Sequence, residues 1–266
     1  MKATTPFLAL LALIACRSTQ PAIAPAEITA LSQQGADGVL WQSTSAEAYW
    51  LYRQSYAHAY MKLEANLAGI GGKGPFAVIV DIDETVLDNS PYQVNAIRRN
   101  RTFDQTDWKE WTDKAEAKAS AGALEFLNYV AGSAGCEVFY ITNRDIREQA
   151  STLKNLNDLG FPDADEAHLL LMDGTSDKTE RRARVRATHH VVLLVGDQLR
   201  DFDERFKDRS ANYGKDVVDA MADSLSRYFI LLPNPMYGTW RDAVQGKGTD
   251  AEKLARMKAW FAINGY

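Results

Sequence analysis

Two aspartates one residue apart, Asp81 and Asp83 in the stretch Asp81-Ile82-Asp83-Glu84-Thr85, come directly after the apolar run Phe76-Ala77-Val78-Ile79-Val80. Residues i and i+2 of an extended or tightly looped segment point the same way, so both carboxylates leave that run into one small volume. Carboxylates this close repel unless a cation or a shared proton intervenes. A solvated acidic turn or a helix cap would also account for the pair taken alone.

Three further groups fall where one chemical site would need them. Ile141-Thr142-Asn143-Arg144 closes a second apolar run and offers a hydroxyl and backbone N–H groups that can hold phosphate oxygens where a helix begins; a threonine there also serves as an ordinary cap. Lys178 opens a basic segment, Lys178-Thr179-Glu180-Arg181-Arg182-Ala183-Arg184. Its ammonium can offset charge on a nucleophile and on a transferring phosphoryl group, while most of the arginines fit a solvated helix face. Gly196-Asp197-Gln198-Leu199-Arg200-Asp201-Phe202 closes another run, and a helix starting after Asp197 puts Asp197 and Asp201 one turn apart on the same side. Asp81, Asp197 and the main chain at Asp83 are hard oxygen ligands, which suit an octahedral magnesium ion (Mg2+) better than zinc.

The elements that position these groups can be read from periodicity. Apolar runs at 76–80, 138–141, 169–172, 191–195 and 229–232 read as strands buried on both faces, and helix-like segments at 146–159 and 178–187 lie between them. The alternation predicts an α/β fold, a Rossmann-like doubly wound parallel sheet with helices on both faces and its site at the carboxyl ends of the strands. Residues 88–122 break the alternation without a clear strand and read as a small, mainly helical cap insertion over those ends. Tyr49, Tyr52, Tyr56, Tyr60 and Leu63 recur at helical spacing over 45–67, a stripe best explained by core packing. With 266 residues, 46% of them hydrophobic, and a net charge of -5, the composition is that of a globular domain and does not favour a nucleic-acid polymer as partner.

The N-terminus carries Lys2, the apolar run 6–15 and then Cys16. That run is too short to span a bilayer and has the layout of an export signal. It resembles a bacterial lipoprotein signal, which implies residues 1–16 as a signal ending at a lipidated Cys16, residues 17–43 as a tether and residues 44–266 as the domain. A plain cleaved secretory signal with Cys16 incidental is the other reading. The second cysteine, Cys136, then has no partner and reads as a buried small hydrophobe.

The four motifs, with the stretch Asn234-Pro235-Met236-Tyr237-Gly238-Thr239-Trp240, make residues 40–266 similar to the haloacid dehalogenase superfamily, and within it to the class C acid phosphatases of bacteria. The resemblance implies an acid phosphomonoesterase in which Asp81 attacks phosphorus and Asp83 is the general acid and base. Thr142 and Lys178 hold phosphoryl oxygens with Asn143 nearby; magnesium sits between Asp81, Asp83 and Asp197, and Asp201 orients a metal-bound water or Lys178. It also implies nucleoside monophosphates among the substrates. Tyr92, Trp108, Trp111, Tyr237 and Trp240 lie in segments expected above the strand ends, where aromatic faces, those of Trp108 and Tyr237 first, can stack on a leaving group or else fill the insertion's own small core. An outer-membrane anchor in a Gram-negative cell and a homodimer are further implications. Gln198, Arg200, Asp177 and Thr179 depart from the family's more usual residues, which bears on substrate preference and rate. The competing expectation is a catalytically silent surface binding lipoprotein on the same scaffold.

Overall fold

The computed structural model describes residues 30–72, 74–132 and 135–265. The signal segment, Cys16 and residues 17–29 of the expected tether lie outside the described residues. The described elements are α1 (Ala36–Thr44), α2 (Ala46–Ile70), β1 (Phe76–Val80), β2 (Leu87–Asp88), α3 (Ser90–Arg98), α4 (Gln105–Thr112), β3 (Lys118–Ala119), α5 (Ala123–Gly132), β4 (Cys136–Asp145), α6 (Gln149–Leu159), β5 (Leu169–Met172), α7 (Thr179–Arg186), β6 (His190–Gly196), α8 (Leu199–Phe202), α9 (Lys215–Ala220), α10 (Ala222–Tyr228), β7 (Phe229–Leu231), α11 (Thr239–Gln245) and α12 (Asp250–Asn264). Among them no helix is long and apolar enough to cross a membrane.

Five strands pair in parallel in the order β5-β4-β1-β6-β7. Every residue of β1 is buried, because successive side chains enter opposite layers and both are covered. Val78 and Val80 join Val138, Tyr140 and Val195 under Tyr56, Leu63 and Phe126. Ala77 and Ile79 join Phe139, Ile141 and Leu194 under Val185 and Phe229. Val80, the last residue of β1, stands opposite Tyr140 of β4 on one side and Val195 of β6 on the other, so the residues just past these pairs lie at the same level. Asp81, Thr142 and Asp197 therefore emerge together.

Helix α2 begins at Ser45, whose side chain accepts the Ala48 N–H at 2.9 Å, and ends at Gly71 with φ +57°. Its stripe does pack: Tyr52, Tyr56 and Leu63 are buried, whereas Tyr49 faces solvent. Packing is not its only role. The Tyr52 hydroxyl donates to the Glu84 carbonyl at 2.7 Å and the Tyr56 hydroxyl to the Thr85 carbonyl at 2.9 Å, so the stripe also fixes the loop after β1.

Three boundaries differ from those the sequence pattern predicts. Helix α1 overlaps the end of the expected tether, with its Val39 buried, Leu31 buried just ahead of it, and α1 packed on α3; tertiary contact makes a helix where periodicity is weak. The insertion is helical, α3 and α4, but a pair of two-residue strands, β2 with β3, closes its neck. Strand β4 runs to Asp145, four residues beyond the apolar run, and its pairing with β5 is irregular between Ile141 and Asp145. That irregularity spans Thr142 and Asn143, where a break in the ladder re-aims side chains.

Candidate active site

The loop after β1 is tied to β6 by the Asp81 N–H, which donates to the Val195 carbonyl at 3.0 Å. Lys178, just before α7 and only 4% exposed, places its ammonium against Asp81 and at 2.7 Å from Asp201 Oδ1. Asp201 sits in the first turn after β6, and its other oxygen accepts the Gln198 N–H at 3.0 Å. Gly196 makes this approach feasible, since a Cβ there would lie 2.4 Å from Asp201 Oδ2. Asp197 Oδ2 accepts from Asn234 Nδ2 at 2.7 Å and from Gln198 Nε2 at 2.8 Å.

Oxygens of Asp81, Asp197 and Asp201 lie within 4.8 Å of one another, and all three residues are nearly buried. Burial pushes the Asp81 carboxyl up, Lys178 opposes that, and the Asp201 and Asp197 charges add to it. Burial and Asp201 raise Asp197 to about 7, against the bonds from Asn234 and Gln198. Three crowded carboxylates facing one ammonium fit a divalent cation: the donors are hard oxygens and the local charge is under-compensated. Asp201 thus stands within the same oxygen cluster, closer in than a purely peripheral part would require.

Asp83 has a different surrounding. Its Oδ1 takes the Asn89 amide at 2.8 Å and the Arg144 guanidinium at 2.9 Å from Nε and 2.8 Å from Nη2. Among the described residues nothing bonds its Oδ2, and the side chain is 17% exposed. Arg144 is 1% exposed, donates to Thr152 Oγ1 at 3.2 Å and lies 5.8 Å over the Trp108 ring. Asn89 also accepts the Trp111 indole N–H at 2.8 Å, which links the insertion to Asp83. Thr142 is fully buried, its hydroxyl accepting the Arg144 N–H at 3.1 Å, and the Asn143 side-chain oxygen accepts from Arg181 at 2.8 Å.

A cavity of about 540 Å³ opens over Asp81, Asp83, Lys178, Asp197 and Asp201 and includes Asn143. The insertion supplies Phe103 and Trp108 to its wall, and the segment after β7 supplies Met236 and Tyr237. Of the aromatic residues singled out in the sequence, Trp108 and Tyr237 reach the cavity. Tyr92 is buried edge-on against Trp108 at 5.1 Å, Trp111 bonds Asn89, and the Trp240 indole caps the carbonyls of Asn234 and Tyr237 at 3.1 Å each. Phe103, 64% exposed, lies in a stretch without periodicity that gave no sign of it. Sequence reasoning also missed Asn89 and assigned no task to Arg144 or Asn234, whose partners are distant in the chain. A second cavity of about 530 Å³ beside β5 holds none of Asp81, Asp83, Asp197 or Asp201.

A family profile described as HAD superfamily, subfamily IIIB (Acid phosphatase) matches residues 7–240. The chain belongs to this family. Among solved structures similar to this subfamily IIIB chain is the class C acid phosphatase from Bacillus anthracis, with a TM-score of 0.78 and 38% identity over 86% of this chain and 97% of that one. The same enzyme with tungstate bound aligns with a TM-score of 0.77 at 37% identity, covering the same shares. Acid phosphatase 1 of Solanum lycopersicum is 30% identical over 182 residues, 65% of this chain and 63% of the tomato protein. The chain thus spans somewhat under two thirds of that relative's length.

Proposed function

We propose that this subfamily IIIB chain is an acid phosphomonoesterase that works through a covalent aspartyl-phosphate on Asp81. The observation that carries the reading is the meeting of Asp81, Lys178 and Asp197, from three separate strand ends, on the floor of one cavity. The likeness to a phosphatase that holds tungstate, a tetrahedral oxyanion, supports it.

In this reading an Asp81 oxygen attacks phosphorus while the bond to the leaving oxygen breaks, and Asp83 gives that oxygen a proton. Water then attacks the phosphorus, Asp83 takes the water's proton, the acyl-phosphate bond breaks and inorganic phosphate leaves. Asp83 suits the task because it lines the cavity and its Oδ1 is held by Asn89 and Arg144, while Oδ2 has no partner among the described residues. Lys178 restrains the nucleophile and offsets charge on the phosphoryl oxygens, and the Thr142 hydroxyl, already oriented by the Arg144 N–H, adds a donor. A bound magnesium ion, held by Asp81, Asp197 and the main chain at Asp83 with Asp201 beside them, would neutralise the carboxylates and the substrate dianion before attack. Phe103, Trp108 and Tyr237 favour leaving groups with a flat face, nucleoside monophosphates among them. Cys16 lipidation and an outer-membrane location complete the proposal, on the strength of the N-terminal residues alone.

The test is phosphate release from a chromogenic monoester, with and without chelator, beside Asp81→Asn. Activity that needs a divalent cation and is lost in the variant is expected. Wild-type protein inactive with added magnesium would favour the silent binding lipoprotein.

A further inference from the structure

Asp197 has one of its two oxygens fully engaged. Oδ2 takes both the Asn234 amide and the Gln198 amide, so Oδ1 is the oxygen left for a cation. Both amides also hold the segment of residues 234–240. Gln198 Nε2 donates to the Tyr237 carbonyl at 3.4 Å, and Gln198 Oε1 accepts the Thr239 N–H at 3.1 Å. Asn234 Oδ1 accepts the N–H groups of Met236 at 2.9 Å and Tyr237 at 3.3 Å. The segment is pressed onto Gln198: at Gly238, φ +140°, a Cβ would lie 2.4 Å from Gln198 Oε1. Only glycine tolerates both that backbone and that approach.

The segment also forms one wall of the cavity, through Met236, Tyr237, Gly238 and Thr239. A single side chain therefore touches a carboxylate of the cation cluster at one end and the leaving-group wall at the other. We propose that Gln198 is a positioning residue that couples cation binding at Asp197 to order in residues 234–240. A cation drawn to Oδ1 fixes the carboxylate and Gln198 with it, and the fixed amide holds Tyr237 and Thr239 against the cavity. Linkage makes the coupling reciprocal, so an ordered wall tightens the cation. The inference rests on the reading of Asp197 as a metal ligand.

The experiment uses the full chain and two variants, Gln198→Ala and Gly238→Ala. The second leaves the amide in place but pushes the segment off it. Calorimetric titration with magnesium chloride reads cation affinity, and amide hydrogen exchange of the peptide containing Thr239, with and without magnesium, reads the wall. Magnesium is expected to slow exchange at Thr239 in the parent. Gln198→Ala is expected to bind magnesium about 10- to 100-fold more weakly, the usual effect of removing a residue that orients a ligand, and to lose the magnesium-dependent protection. Gly238→Ala is expected to lose that protection too. The KM for a nucleoside monophosphate should rise more in Gln198→Ala than the KM for a small alkyl phosphate. A parent that binds magnesium with Thr239 exchange unchanged overturns the coupling alone, as does a Gln198→Ala variant matching the parent in both readouts. A parent that takes up no magnesium overturns the metal reading and the coupling with it.

Discussion

Lys178→Met takes away the ammonium that touches both Asp81 and Asp201 and leaves a side chain of similar length in a nearly closed site. Three carboxylates with oxygens inside 4.8 Å of one another then lose that counter-charge. Removing one partner of a buried pair typically costs about 3–5 kcal/mol, a large share of the roughly 5–15 kcal/mol that holds a domain folded. The pH dependence has a definite sign. Burial raises the Asp81 carboxyl and Lys178 pulls it down, so without the lysine Asp81 takes up a proton more readily. A carboxyl raised in the folded state destabilises progressively as pH increases above its unfolded value, so the deficit of the variant grows as pH rises. Magnesium at about 100 times its dissociation constant returns about 2.7 kcal/mol if the cation site survives. Activity should fall about 10²- to 10³-fold in kcat, the usual effect of losing one charge-stabilising donor. Urea unfolding monitored by tryptophan fluorescence, with and without magnesium, beside phosphate-release kinetics, measures all of this. An unfolding free energy within about 1 kcal/mol of the parent at neutral pH would refute the reasoning.

Three other outcomes are expected. Asp197, raised to about 7 by burial and Asp201, must shed a proton to ligate a cation below that pH, so apparent magnesium affinity should fall about tenfold per pH unit from 7 downward; calorimetry showing no pH dependence between about 5 and 7 would contradict it. Trp108→Ala and Tyr237→Ala should raise KM for a nucleoside monophosphate far more than for a small alkyl phosphate, and equal effects on the two would remove the stacking argument. On the sheet face, burial disfavours the charged His168 ring, but bonds to Asp165 at 2.8 Å and Glu137 at 3.0 Å outweigh it and raise its pKa, while the bond to His168 lowers Glu137. The His168 contribution is present below about pH 6.5 and lost as pH rises through the raised value; the Glu137 contribution is present above about pH 4.5 and lost on further acidification. His168→Ala should therefore lower Tm most near pH 5.5 and least near pH 8.5, and a Tm deficit that is flat or grows with pH would overturn that pairing.

The strand ends were legible because a parallel strand covered on both faces must be apolar throughout, and the first residues past each run must then lie at the carboxyl edge. Asp81, Thr142, Lys178 and Asp197 each came after such a run; the register of β1 with β4 and β6 sets Asp81, Thr142 and Asp197 side by side, and Lys178, after β5, reaches Asp81. Cys136 is a buried thiol, which burial pushes up to about 11, as its apolar neighbours implied. The features that were not legible depend on partners far apart in the chain. Arg144 meets Asp83 across 61 residues and Gln198 meets Thr239 across 41; no local pattern marks either pair. Helix α1 escaped notice because its burial comes from α3, and β2 and β3 are too short to carry a period. The aromatic residues divided on the same grounds: Trp108 and Tyr237 face the cavity, while Tyr92 and Trp111 complete the insertion and its link to Asn89.

Rapid-quench peptide mass analysis during turnover tests the nucleophile most directly. A phosphate adduct on the peptide that begins after β1, assigned to Asp81 in the parent and missing in Asp81→Asn, is the predicted result. An adduct on another residue, or an Asp81→Asn variant that hydrolyses monoesters as fast as the parent, would contradict it.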